Sequence, residues 1–404
     1  MKKIREFFDI HSLGWLELVI ALYPIMASYN YGKFLMYLAI PLILSLFLIV
    51  TNSPKHKGYG IAAFKYFIIY LFAHFLLWIP IIGNPPSYYY NQNIQFFIII
   101  LSLVIILPYL NLQKLVSSIN LVGLICACGM VYQSVEILMG RTVSTIPLPF
   151  LPSPDETSRI FTIIENRPVS FFTEPQTYVS YMIVPLFLAL SKKNLTWALI
   201  ISVTILLSGS TTGIAMIAIM FVAYILTSKV GKFYRILLVA VLIGLGYFLL
   251  SSEITTAGVD KMNDTNLSEN IRVINGFLVA KALSISDFIF GITFANATDF
   301  CYANGITGSV ILDGNGQVFI SAFWIALIRY GIIGLLLYLN LYLQVIKSDK
   351  TIFPYWLCIV IVLFTNPDFL GANFLFILLF SYTYVKQRNI NYHEEDININ
   401  NTIR

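Results

Sequence analysis

The chain has 404 residues, of which 58% are hydrophobic and only 11% charged, with a formal net charge of +5 at pH 7. A soluble domain carries about 25% charged residues, so a soluble globular fold is excluded and most of the chain belongs in lipid. Segments such as YLAIPLILSLFLIV (37–50) are apolar on every side instead of alternating with period 2, which excludes an outer-membrane barrel and leaves an all-α polytopic integral membrane protein.

Residues 1–30 have a basic head, an apolar run and no small-residue cleavage site, so they read as a first anchor rather than a cleaved signal. Apolar runs recur near 13–29, 34–50, 60–82, 93–110, 115–138, 177–190, 195–208, 211–228, 235–252, 317–346, 351–366 and 373–386. They predict about twelve transmembrane helices in a single domain over 1–404, with no internal repeat. SGSTTG (208–213) separates the seventh run from the eighth. Lysines and arginines gather at 2–5, 55–57, 192–193, 229–235, 347–350 and 386–388, whereas GNPPSYYYNQ (83–92) and NPDFLGAN (366–373) hold none. That asymmetry puts both termini in the cytoplasm. Two long connections, 139–176 and 253–316, then lie outside, and the polar tail 387–404 reads as cytoplasmic and disordered. Of Cys126, Cys128, Cys301 and Cys358, only Cys301 falls outside a span, so no disulfide framework is expected.

The external connections carry their own local signals. In SPDETSRIFTIIE (153–165), Ser153 and Glu156 form a capping box with Pro154 at the first helical position, and the apolar residues that follow predict a short helix on the membrane surface. In NLSENIRVINGFLVAKAL (266–283), Asn266 and Glu269 give a looser cap. Leu267, Ile271, Ile274 and Leu278 recur at helical spacing and predict the docked face, leaving Arg272 and Asn275 to point elsewhere. The stretch 316–346 would measure about 46 Å as one straight helix against a hydrocarbon core of about 30 Å, with Arg329 near its middle. A break at Arg329-Tyr330-Gly331 resolves both the excess length and the stranded charge, dividing it into a short helix to 328 and a span from 331.

Arg141, Arg159, Arg167, Arg272 and Arg329 therefore collect near the outer face. The planar fork of arginine matches phosphate oxygens, so the pattern points to a phosphate or diphosphate at the bilayer surface; the alternative is pairing with loop acids or lipid headgroups. Glu174 stands where a span begins. Partial burial would raise its pKa and suit it to proton transfer, and the alternative is that it caps the helix or pairs with an arginine. His74, alone in the third run, reads as a packed polar residue rather than a catalyst. No His/Asp cluster occurs in the external segments, and there is no P-loop or dinucleotide fingerprint, so neither a metal nor another cofactor is expected. Nothing reads as a nucleic-acid site.

Four stretches taken together resemble the bacterial O-antigen and capsular polysaccharide polymerases of the O-antigen polymerase/ligase superfamily. They are NRPVSFFTEPQTYVSYMIVPLFLAL (166–190), LLSGSTTG (206–213), ENIRVINGFLVAKALSISDFIFGITFAN (269–296) and DGNGQVFISAFWIALIRYGIIGLLLYL (313–339). The resemblance covers about residues 140 to 345; each motif is loose, and their order is the specific part. It implies a metal-independent glycosyltransferase in the bacterial inner membrane that uses an undecaprenyl-diphosphate-linked oligosaccharide as donor. Arg167 and Arg272 would grip the diphosphate and Arg329 would neutralise the leaving group. Arg141, Arg159, Asn275 and Asn315 are the further candidate substrate-binding residues. Membrane lipids, a chain-length regulator and a flippase are the implied partners. The ligase branch carries a histidine before its short helix. Here Asp313-Gly314-Asn315 stands in that region, which favours polymerase over ligase and leaves the acceptor base open between Asp313 and Glu174. A transporter or flippase for the same lipid-linked sugars is the competing class; its usual marks are internal repeats and charges buried in mid-span.

Overall fold

The computed structural model describes residues 13–31, 34–51, 61–82, 85–149, 151, 166–227, 271–292, 294, 296–306, 318 and 320–402. Within them the regular structure is helical, apart from a short antiparallel ladder between β1 (Asn30–Tyr31) and β2 (Phe34–Leu35) that pairs Asn30 with Leu35 and Tyr31 with Phe34. The helices are α1 (Trp15–Met26), α2 (Met36–Thr51), α3 (Ile61–Ile82), α4 (Ser87–Ile106), α5 (Leu112–Leu138), α6 (Pro175–Ser191) and α7 (Leu195–Leu207). They continue as α8 (Thr211–Thr227), α9 (Ile271–Lys281), α10 (Ile285–Phe290), α11 (Ala297–Ala303), α12 (Ala322–Ser348), α13 (Phe353–Thr365) and α14 (Ala372–Thr402).

The expectation of about twelve spans is corrected. Among the described residues, four helical stretches are long and apolar enough to cross a membrane: Phe64–Ile82, Ser87–Tyr109, Leu112–Leu138 and Ala322–Ser348. Shorter apolar helices occupy Trp15–Met26, Met36–Thr51, Leu195–Leu207, Thr211–Leu226 and Lys350–Thr365. The apolar runs that fall within the described residues are helical where expected, but turns trim them. Thirteen residues of helix, as in α7, rise only about 20 Å, short of the roughly 30 Å hydrocarbon core. The run at 235–252, the helix expected at 153–165, the looser cap at Asn266 and Glu269, and the residues Arg159, Asp313 and Asn315 lie outside the described residues.

The outer surface of several helices is apolar. Helix α2 buries Ile40, Leu44 and Leu48 while exposing Ile43, Leu46, Phe47, Ile49 and Val50. Water would not tolerate a continuous face of this kind, and lipid does. The polar stretch after 387 is helical up to Thr402, not irregular. An apolar segment anchored inside the fold has already met the cost of nucleation, so extension adds one hydrogen bond per residue fixed.

The chain forms two compact units. The first comprises Met1–Tyr37, Lys114–Asn270 and Leu357–Val362. Its central element is α6, whose residues Tyr178 to Leu190 are all buried, as expected of a helix hydrophobic on every side. Helices α7 and α8 pack against it.

The second unit comprises Leu38–Gln113, Ile271–Trp356 and Leu363–Arg404. Helix α12 is its axis, in contact with α3, α9, α10 and α14. The break expected near Arg329 is present: Gly331 has φ 65° and ψ −176°, a region essentially confined to glycine. Gly291, which ends α10, lies in the same region at φ 93°, ψ 164°. The two glycines let two backbones touch. A Cβ on Gly331 would stand 2.2 Å from the Ile289 carbonyl oxygen, and one on Gly291 would stand 2.1 Å from that of Arg329. The Ile292 N–H donates to the Ile328 carbonyl at 2.9 Å across this crossing.

A kink and a helix end leave carbonyls without intrahelical partners. One polar stripe on α3 satisfies three of them. Tyr70, His74 and Trp78, at i, i+4 and i+8, donate to the carbonyls of Tyr330 (2.6 Å), Phe290 (3.0 Å) and Ile292 (2.7 Å). His74 is thus a packing residue that carries its proton on Nε2, in line with the sequence reading.

The docked face of α9 differs from the expected one. Asn275, Gly276 and Val279 are buried, whereas Leu278 is exposed. A Cβ on Gly276 would stand 2.0 Å from the Trp324 ring, so the missing side chain is what admits the indole. Close approach at this glycine, not the sum of apolar residues, selects the face.

Candidate functional site

Each unit holds one of the expected arginines at a glycine-bearing turn. In the first unit, the NRPVSFF turn is fastened by Gln133 of α5. Its Oε1 accepts the N–H of Val169 (2.8 Å) and of Ser170 (2.6 Å), and its Nε2 donates to the Ser144 carbonyl at 2.6 Å. Further bonds run from Ile146 N–H to the Ser170 carbonyl (2.9 Å), from Thr145 Oγ1 to the Phe172 carbonyl (3.0 Å) and from Ser170 Oγ to the Cys126 carbonyl (2.8 Å). They hold Asn166 at φ 43° and Ser170 at φ 57°, left-handed conformations that such residues adopt only when the surroundings enforce them. Arg167 emerges from this turn half-buried, and its Nη2 donates to the Gly209 carbonyl at 2.8 Å. Gly209, at φ 62°, sits in the 208–210 turn between α7 and α8, the break read from SGSTTG.

Glu174 is exposed at the N-cap position of α6, where its carbonyl accepts the Tyr178 N–H at 3.2 Å and its side chain makes no cap bond. The partial burial expected for it is absent. Arg141 is exposed and paired with Glu136 at 2.9 Å. A pair this exposed adds little to stability, because water and salt screen it.

In the second unit, Arg329 is 9% exposed. Its Nη1 donates to Gln92 Oε1 of α4. Its guanidinium carbon lies 5.9, 5.5 and 5.7 Å from the ring centres of Tyr89, Phe96 and Tyr330. Cation–π contacts of this kind contribute about 0.5–2 kcal/mol each. The placement follows from α4: Tyr89, Gln92 and Phe96 recur at helical spacing and present one face to the kink. Nη2 is buried without a hydrogen-bond acceptor among the described residues, with the Tyr330 hydroxyl as the polar group beside it. No carboxylate among the described residues pairs with this arginine. Rings soften the burial of a cation but do not neutralise it, and one open N–H face remains for an anion.

Arg272 belongs to α9 in this unit, with its side chain outside the described residues, and Asn275 is buried on the same helix. The loop before α14 holds a second polar group. The Asn366 carbonyl accepts the Ala322 N–H at 2.7 Å, and Asp368 Oδ2 accepts the Asn373 N–H at 2.8 Å. Burial pushes the Asp368 carboxyl up to about 6, with the backbone N–H groups of Asn373 and Gly371 pulling the other way. Phe369 of the same loop packs on Phe96 and Tyr330, 5.6 Å from each.

Sequence reasoning missed Gln92, Tyr89 and Gln133. The first two lie in GNPPSYYYNQ, which it treated only as a connection without charge. A run of tyrosines and amides at the mouth of a span was the available signal. Gln133 has no such signal, because a lone glutamine in an apolar helix does not announce which loop it will hold.

All four cysteines are free thiols. Among the described residues, no group of three or more His, Cys, Asp or Glu side chains is placed to hold a metal ion. No family model, no curated protein and no solved structure matches the chain, so the functional reading rests on its own residues.

Proposed function

We propose that the protein is a polysaccharide polymerase of the inner bacterial membrane, joining lipid-diphosphate-linked oligosaccharide repeat units into O-antigen, capsule or exopolysaccharide on the outer leaflet. One observation carries the reading: a buried guanidinium, Arg329, at a glycine-built break in a membrane-spanning helix, with an Nη2 and a charge that no acceptor or carboxylate among the described residues meets. A diphosphate supplies what that group lacks, and arginine is the residue that matches it in shape.

In this reading Arg329, with Arg272 of the same unit, holds the diphosphate of the donor. These donors are fixed before the reaction, so they stabilise the charge that grows on the leaving diphosphate without having to reorganise. The arginines supply the positive charge that a metal supplies elsewhere, and no nucleotide is used. The termini are cytoplasmic, and the partners are the undecaprenyl-diphosphate-linked repeat unit, membrane lipids, a flippase that delivers it and a chain-length regulator.

Gel analysis of surface polysaccharide from a deletion strain tests the reading. A polymerase leaves one repeat unit per lipid core. A ligase leaves full-length polymer that is unattached. A flippase leaves lipid-linked units trapped on the inner leaflet. Either of the last two results removes the proposal.

A further inference from the structure

Four carboxylates of the second unit have described side chains, Asp287, Asp299, Asp349 and Asp368, and three of them serve their own local turn. Asp287 is bonded to Ser284, Asp349 to the Thr351 N–H, and Asp368 to the Asn373 N–H. Asp299 differs. Its backbone N–H is capped by Asn296 at the start of α11, but its Oδ2 accepts a hydrogen bond from the Tyr88 hydroxyl, 211 residues away in sequence. Tyr88 is 41% exposed, and Asp299 is partly exposed, so the pair is open to a ligand. Local capping does not require a long-range phenol.

The position of the pair gives it a use. Tyr88 and Gln92 are four residues apart on α4, so they lie on one face about 5–6 Å apart. Gln92 holds Arg329, and the Arg329 charge reaches the Tyr88 hydroxyl. The phenol that holds the Asp299 carboxylate therefore shares a helix face with the amide that holds Arg329. A glycosyl transfer uses a base at the acceptor hydroxyl and a cation at the leaving group, and this face brings together the residues that hold one of each. A half-exposed tyrosine ring is also an apolar face of the size of a sugar, with a polar tip to orient it.

We propose that Asp299 is the catalytic base for the acceptor sugar and that Tyr88 is its positioning residue. The inference rests on the polymerase reading and supplies the base which that reading leaves open. A hydroxyl of the acceptor sugar gives its proton to the Asp299 carboxylate, and its oxygen bonds to the anomeric carbon of the donor. The bond from that carbon to the diphosphate oxygen breaks, and its electron pair leaves on the diphosphate held by Arg329. The proton passes from Asp299 to water.

The test uses the full-length protein in lipid vesicles with the lipid-diphosphate-linked repeat unit isolated from cells that make it, and undecaprenyl diphosphate alone as a binding probe. D299N lowers kcat about 100-fold or more, as loss of a general base does, while undecaprenyl diphosphate binds as to the wild type. D299E restores part of the rate. Y88F lowers kcat about tenfold with KM unchanged. A purely structural tyrosine would lower the folded fraction and leave kcat per folded molecule unchanged. D299N within threefold of wild-type kcat, or Y88F with an unchanged kcat, overturns the inference. If R329A is inactive in the same assay, the polymerase reading survives that result. A wild-type protein that makes no polymer overturns both.

Discussion

The Arg167 turn and the Arg329 kink use the same ingredients to different ends. Each pairs an arginine with a glycine in a conformation that other residues avoid, Gly209 at φ 62° in one case and Gly331 at φ 65° in the other. At Arg167 the guanidinium bonds to the glycine's own carbonyl and fastens one turn to another. At Arg329 the freed carbonyl is taken by Tyr70, and the guanidinium is turned onto aromatic rings and a glutamine. Satisfying the backbone with a neighbouring helix is what leaves a charge available. The difference teaches that a buried arginine serves as a fastener where it caps a carbonyl, and keeps an N–H to offer where other groups have capped the carbonyls already.

Substitutions at the two arginines break the comparison most sharply. R329A is expected to abolish long-chain polysaccharide while the protein stays in the membrane at normal level and with little change in Tm. R329K rescues poorly, because an ammonium lacks the fork. R167A is expected to lower both polymer and Tm, since it removes a charge-assisted bond worth about 1.5–3 kcal/mol. Thermal unfolding in detergent, read beside polymer length on gels, separates the two. Equal losses of Tm in both variants would erase the distinction.

G331A comes next in size. It forces a Cβ into a glycine-only conformation, about 1–3 kcal/mol, and against the Ile289 carbonyl. The expected result is a lower Tm together with loss of polymer, whereas alanine at the exposed Gly140, where a Cβ would meet nothing within 4 Å, should be milder. Comparable damage at both positions would show that the crossing of α10 and α12 is not what matters.

The proposed activity also sets the response to metal chelation. Purified protein supplied with lipid-linked repeat units is expected to make polymer in EDTA at the untreated rate. Loss of synthesis in EDTA that magnesium or manganese restores would contradict the role given to the arginines.

The smallest effect is at Asp368. Its carboxyl titrates near 6 in the folded protein against 3.8 ordinarily, so the folded state binds the proton more tightly. Stability therefore falls as pH rises from about 4 to about 6, by at most roughly 3 kcal/mol. D368N keeps an acceptor for the Asn373 N–H and is expected to flatten that slope. An unchanged slope between pH 4 and pH 7 would place the titration elsewhere.

What the sequence made legible was local. The break at Gly331 followed from excess length plus a stranded charge, and the break at Gly209 from a Ser/Gly cluster between apolar runs. Membrane character followed from composition. The rest depended on encounters between distant residues. Nothing near Arg329 names Gln92, 237 residues away, as its partner. Nothing in α9 shows that Trp324 will choose Gly276 and turn Leu278 outward. The helix count was overestimated because hydropathy marks apolar runs but not the turns that shorten them. Glu174 looked buried because its neighbours are aromatic, yet a residue at a helix N-cap points where the incoming chain directs it.

The most direct test of the account is the affinity of the full-length protein, in lipid nanodiscs, for undecaprenyl diphosphate, compared between wild type and R329A. Loss of charge-assisted bonds of about 1.5–3 kcal/mol each predicts an affinity at least about tenfold weaker in R329A. Equal affinity in the two proteins would contradict the claim that Arg329 is the anion site.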